Sequence, residues 1–89
     1  MPESHQDQRY VELFDISKKK SIAKSPLAGI PHLPRMGERI FLRSPQSAYW
    51  EAYTVVAVEY FVASEPSASE EMLELSGTDR VTLYVERSR

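Results

Sequence analysis

Tyr49-Trp-Glu-Ala-Tyr-Thr-Val-Val-Ala-Val-Glu-Tyr-Phe-Val62 is the stretch whose pattern settles the fold class. Its even positions, Trp50, Ala52, Thr54, Val56, Val58, Tyr60 and Val62, form an almost wholly apolar stripe. Its odd positions, Tyr49, Glu51, Tyr53, Val55, Ala57, Glu59 and Phe61, are mixed. A period of two sustained over this length is a strand pattern that no helix reproduces. Run straight, the segment would span about 46 Å, too far for a small domain. The strand must therefore bend or break, as strands of small barrels do at bulges.

Working outward, Glu38-Arg-Ile-Phe-Leu-Arg43 sets Ile40 and Leu42 on one face and Arg39, Phe41 and Arg43 on the other. Ser44-Pro-Gln-Ser47 has turn chemistry. Upstream, Tyr10-Val-Glu-Leu-Phe-Asp-Ile16 reads as a first strand. Its adjacent Leu13 and Phe14 ask for a bulge or for burial of both faces. Ser17 to Lys20 is a turn, and residues 22–30 hold a short second strand that Pro26 confines to a sheet edge. Gly29 to Pro34 runs extended as a connector, because each proline restricts its own φ and the residue before it. Downstream, Val81, Leu83 and Val85 alternate with Thr82, Tyr84 and Glu86 as a half-buried final strand.

Residues 67–75 support two readings. Ser67 and Glu70 are spaced as a capping box, Ala68, Met72 and Leu75 fall at helical spacing, and Gly77 suits a helix end. Alternatively, Met72 to Leu75 and Val81 to Val85 form a hairpin across residues 76–79. The capping pattern favours the short helix. The expected architecture is mainly β, a small antiparallel barrel or strongly curved sheet of four to five strands, with that helix near 67–75. Residues 1–9 are expected to be a flexible polar arm, and 10–89 a single domain.

The pattern Pro34-Arg-Met-Gly-Glu-Arg-Ile-Phe-Leu42, then Tyr49 to Val58, then Val81 to Glu86 resembles the SH3-like barrels of small bacterial proteins. The resemblance covers about half the chain; residues 1–33 and 63–80 lie outside it. It implies a binding or scaffolding module, and a fold alone assigns no function.

Composition narrows the function classes. Of 89 residues, 42% are hydrophobic and 27% charged, ordinary proportions for a globular domain. Cysteine is absent, which excludes disulfides, thiolate metal sites and thiol chemistry and suits a cytoplasmic protein. The first ten residues lack a signal-peptide core, and no apolar run approaches the length of a membrane span. No membrane partner is therefore expected. The three glycines exclude a phosphate-cradling loop, and no serine sits in a hydrolase elbow. His5 and His32 are isolated, and His32 with Glu38 makes an incomplete ligand pair. The expectation is a protein without catalytic residues, metal or cofactor.

Three surfaces remain as candidates for contact. Phe41, Tyr49, Tyr53, Val55 and Phe61 form an aromatic-rich face suited to a protein partner, foremost a second copy of the chain. Alternatively, they close the other side of a small barrel around Ile30 to Leu33. Residues 17–43 carry a net charge of +6, against −3 for 1–16 and −5 for 44–89. Lys18, Lys19, Lys20, Lys24, Arg39 and Arg43 are thus the candidate phosphate contacts of a nucleic-acid-binding barrel. Their alternative is a surface on which acidic and basic strands interleave. His32, Trp50 and Tyr60 are candidate lining for a small-ligand or catalytic pocket at the barrel mouth. The self-associating interaction module is the leading expectation, with the nucleic-acid barrel second and the pocket third.

Overall fold

The computed structural model describes residues 9–30, 32–68 and 72–88. Five strands form one mixed sheet: β1 (Tyr10–Asp15), β2 (Lys20–Pro26), β3 (Arg39–Leu42), β4 (Glu51–Pro66) and β5 (Leu73–Arg87). Their spatial order is β2-β1-β5-β4-β3, and the sheet curls into a half-barrel. Three pairings are antiparallel; β1 with β5 is parallel, which the sequence pattern does not anticipate. The short helix expected at 67–75 is absent among the described residues, since Leu73 to Leu75 belong to β5. Pairing with Ser64, Glu65 and Pro66 gives that segment a strand partner, which local capping cannot match. Glu70 of the capping pattern, His5 and nearly all of the polar arm lie outside the described residues.

The core follows the alternation of the strands. Val11 and Leu13 lie beside Val81 and Leu83 in the parallel register, and Tyr53, Val55 and Val85 complete the fully buried set. Ile22, Ala23, Ile30, Leu33, Ile40, Leu42 and Val58 pack around its margin. The adjacent Leu13 and Phe14 split between faces. Leu13 points into the core, while Phe14 meets Tyr84 edge-on outside, ring centroids 5.6 Å apart. A register shift between them makes Ile22 the extra residue of β2.

β4 is an unbroken strand of 16 residues in a molecule 53 Å along its longest axis, so its length is accommodated by running on past the sheet, and it carries a bulge at Val56. Val55 pairs with Val85 and Ala57 with Tyr84, so Val56 is extra and the facing of the strand inverts there. Before the bulge the odd residues Tyr53 and Val55 face inward; after it Val58 and Tyr60 lie opposite Leu83 and Val81 on the core side. The connector is fastened at this point. Gly37 N–H donates to the Val55 carbonyl (2.7 Å), and Val55 N–H donates to the Glu38 carbonyl (2.8 Å).

Asp15 ends β1 and builds the turn that follows. Its buried carboxylate accepts from the backbone N–H groups of Ser17 (2.9 Å) and Lys18 (3.2 Å), and its carbonyl accepts from Lys19 N–H (2.7 Å). Lys19 takes a positive φ of 58° to close the turn.

Among the described residues, β4 beyond Phe61 and β5 before Arg80 pair only with each other, since the ladders of β3 and β1 end before them. They form a two-stranded ribbon reaching about 15 Å past the curled sheet. The Ser67 N–H bonds the Met72 carbonyl (3.0 Å) at its far end. Among the described residues no helix is long and apolar enough to cross a membrane.

Candidate interaction surfaces

The five residues expected to share an aromatic face are not brought together. Tyr53 and Val55 are core residues, 3% and 1% exposed, so neither meets a partner. The bulge at Val56 is the reason, since it turns inward the positions that strict alternation assigns to the mixed face. Phe41 and Phe61 do lie outward, Phe41 beneath the Arg39 guanidinium (5.5 Å) and Phe61 beneath that of Arg80 (3.9 Å). Phe41 pairs with Ala52, which stands about 30 Å along β4 from Phe61. Tyr49 is largely exposed in the turn before β4.

The basic residues divide into two sets. Lys18 and Lys20 join Arg43 around one opening of about 540 Å³ between β2 and β3 at the end of the half-barrel, with Glu51 beside them. Glu51 itself pairs with Arg87 (3.2 Å). Lys24 instead lies over the Tyr10 ring (4.1 Å) on the outer face, and Arg39 projects outward from β3. Lys24 also stands opposite Glu12, so acidic β1 and basic β2 interleave. Lys19 is exposed at the turn.

Of the expected pocket trio, His32 and Tyr60 share a concavity of about 770 Å³ with Arg35 and Glu38. Trp50 is elsewhere, exposed and stacked under Arg43 (5.1 Å). Glu38 is engaged there, accepting from Arg35 N–H (2.8 Å). No group of three or more His, Cys, Asp or Glu able to hold a metal ion occurs among the described residues.

Two features escape sequence reasoning. On the outer face, Lys24, Tyr10, Arg80 and Phe61 stack cation against ring across four strands, and Arg80 also donates to the Tyr10 hydroxyl (3.3 Å). Beside them Tyr84 donates to Glu59 (2.7 Å), and that bond, with burial second, holds the phenol above its ordinary pKa. The other is the ribbon. Val62, Ser64 and Pro66 alternate onto the face that continues the core side, and Leu75 and Leu73 lie opposite the last two. Leu73 and Leu75 are 66% and 73% exposed. Their alternation around Glu74 was the available signal; the competing capping pattern masked it.

No known protein family, curated protein or solved structure matches the chain.

Proposed function

We propose that this protein is a non-catalytic interaction module that associates with itself through strand edges and the apolar side of the ribbon. The observation that supports this most is the pair Leu73 and Leu75, exposed on one face of a ribbon that no other strand among the described residues covers. Exposed apolar groups on a strand pair mark contact surfaces, and no other strand among the described residues pairs with the ribbon's outer edges. Burying a leucine fully contributes about 1.5–3 kcal/mol, so the pair alone can supply much of a micromolar association.

Sedimentation equilibrium from micromolar to near-millimolar concentration tests the reading. The expected result is a mass above the 10.2 kDa of one chain, returning toward it in the Leu73→Ser/Leu75→Ser variant. A wild-type chain that stays monomeric throughout would overturn it.

A second reading has its own observation in support. Arg39 over Phe41, Arg43 over Trp50 and the exposed Tyr49 combine cations with open aromatic rings around β3. Single-stranded nucleic acids are bound by that combination. Retention on an oligonucleotide at low salt, weakened by Arg43→Ala, is the expected result; no retention removes this reading.

A further inference from the structure

β2 and β3 share no ladder, yet the curl of the sheet brings the start of one and the end of the other around a single opening of about 540 Å³. That size falls in the range of small-molecule sites, about 300–1,000 Å³. Three cations line it: Lys18 from the β1–β2 turn, Lys20 from the start of β2 and Arg43 from just beyond β3. All three are exposed, and the half-buried Ile22 and Leu42 form an apolar wall beside them. A wall of that kind keeps water from one side of the charges and focuses their field into the concavity.

The acids at this end of the half-barrel are already engaged. Glu51 pairs with Arg87 (3.2 Å), and the buried Asp15 carboxylate accepts from the Ser17 and Lys18 backbone N–H groups. Both carboxylates act on the Tyr53 phenol, which lines the opening, so their charges count there. Among the described residues neither Lys18 nor Lys20 forms an ion pair, and Arg43 has the Trp50 ring as its partner (5.1 Å). With Arg87 included, four cations stand against two carboxylates, a net charge of +2. The backbone that carries the lysines is fixed, since Asp15 holds it and Lys19 closes the turn with a positive φ of 58°. Like charges from two unpaired edges are thus held together at a cost that a bound anion relieves.

We propose that this opening binds a phosphate monoester, its phosphoryl group set among Lys18, Lys20 and Arg43. Charge selects the class. A phosphate monoester carries about −1.5 to −2 at pH 7 and offers three acceptor oxygens, whereas each backbone diester carries a single charge. The net charge of +2 and the three cationic donors match the monoester. A guanidinium takes two phosphate oxygens at once and lysines act as point charges, so these residue types together suit one phosphoryl group. The Trp50 indole under Arg43, 61% exposed, adds a stacking surface for an ester that bears a ring. This site is independent of self-association, and it shares Arg43 and Trp50 with the nucleic-acid reading.

Titration with adenosine monophosphate, followed by backbone amide chemical shifts, tests the site. Saturable binding with a Kd below about 1 mM is expected, with the largest shifts around Lys18, Lys20 and Arg43. Adenosine, which lacks the phosphoryl group, is expected to bind at least about tenfold more weakly. Lys18→Ala/Lys20→Ala removes two of the three cations and is expected to weaken the monophosphate at least about fivefold. Lys24→Ala/Arg39→Ala removes the same charge from the outer face, over Tyr10 and Phe41, and is expected to change the affinity by less than about twofold.

Adenosine binding as tightly as the monophosphate, an unchanged Lys18→Ala/Lys20→Ala variant, or no binding at millimolar monophosphate overturns the site. An oligonucleotide with a terminal phosphate identifies the source of the group. Tighter binding than the monophosphate assigns the ester to a strand end, and equal or weaker binding assigns it to a free small molecule. A strand with a terminal hydroxyl that binds as tightly as its phosphorylated twin overturns the site, because backbone diesters would then be what is bound, as in the nucleic-acid reading. Far-UV circular dichroism and the thermal midpoint identify a variant that fails to fold. Both lysines are exposed, and Lys18→Gln and Lys20→Gln singly then carry the same comparison.

Discussion

Replacing Asp15 with alanine removes the acceptor around which the β1–β2 turn is built. The carboxylate is 1% exposed and takes hydrogen bonds from the Ser17 and Lys18 N–H groups at 2.9 and 3.2 Å. A hydrogen bond to a charged group contributes about 1.5–3 kcal/mol. The two donors sit at an exposed turn, where water takes over part of that role, and alanine relieves the carboxylate's own desolvation. The net loss is about 2 kcal/mol, against a total stability of about 4–13 kcal/mol for a domain of this size. With a urea m-value near 1–2 kcal/mol/M, the unfolding midpoint falls by about 1–2 M at unchanged slope. Asp15→Asn keeps an oxygen at the same place and is expected to lose less than about 1 kcal/mol. An alanine variant within about 0.5 kcal/mol of wild type would refute the reasoning. So would an asparagine variant as unstable as the alanine one, because charge rather than acceptor geometry would then hold the turn.

Gly37 occupies the third position of the Arg35–Glu38 turn with a φ of 93°, the conformation a type II turn requires there. A Cβ at Gly37 meets nothing within 4 Å, so Gly37→Ala isolates the backbone cost, about 1–2 kcal/mol by denaturant titration. Two phenols should resist ionisation: Tyr53, raised mainly by burial, and Tyr84, raised mainly by its bond to Glu59. A folded-state value above the unfolded value of about 10 adds stability below that pH, lost as pH rises through the folded value. Ultraviolet titration of Glu59→Ala, which removes the acceptor, should bring Tyr84 back toward its ordinary value and leave Tyr53 raised; an unchanged profile would exclude that bond as the cause.

Strand positions were largely legible because they rest on local patterns. Tyr10 to Asp15, the Pro26-limited edge strand and Arg39 to Leu42 follow directly from alternation and proline chemistry. That β4 would carry a bulge followed from its length, although much of that length is taken up by the ribbon running on past the sheet. The position of the bulge did not, since Val55-Val56-Ala57-Val58 is apolar at every residue and alternation there is undefined. Everything that depends on facing inherited that ambiguity, which is why Tyr53 and Val55 moved from the expected contact face into the core. The segment after Met72 was misread for a different reason. Its strand state depends on Ser64 to Pro66, and a capping pattern reports only on residues near it. The meeting of Lys18 and Lys20 with Arg43 depends on the curl of the sheet, which no single strand encodes.

β5 lies between β1 and β4, so without it the sheet is two pieces, β1 with β2 and β3 with β4, that share no ladder. The consequence is kinetic. The joining step brings together groups as distant as Tyr10 and Arg80, 70 residues apart, and closing such a loop costs about 4 kcal/mol before its contacts repay it. Assembly should therefore wait on one late, long-range event and run in milliseconds to seconds, slowly for so short a chain. Until that event both half-sheets expose their inner edges, and the core they will share does not yet exist.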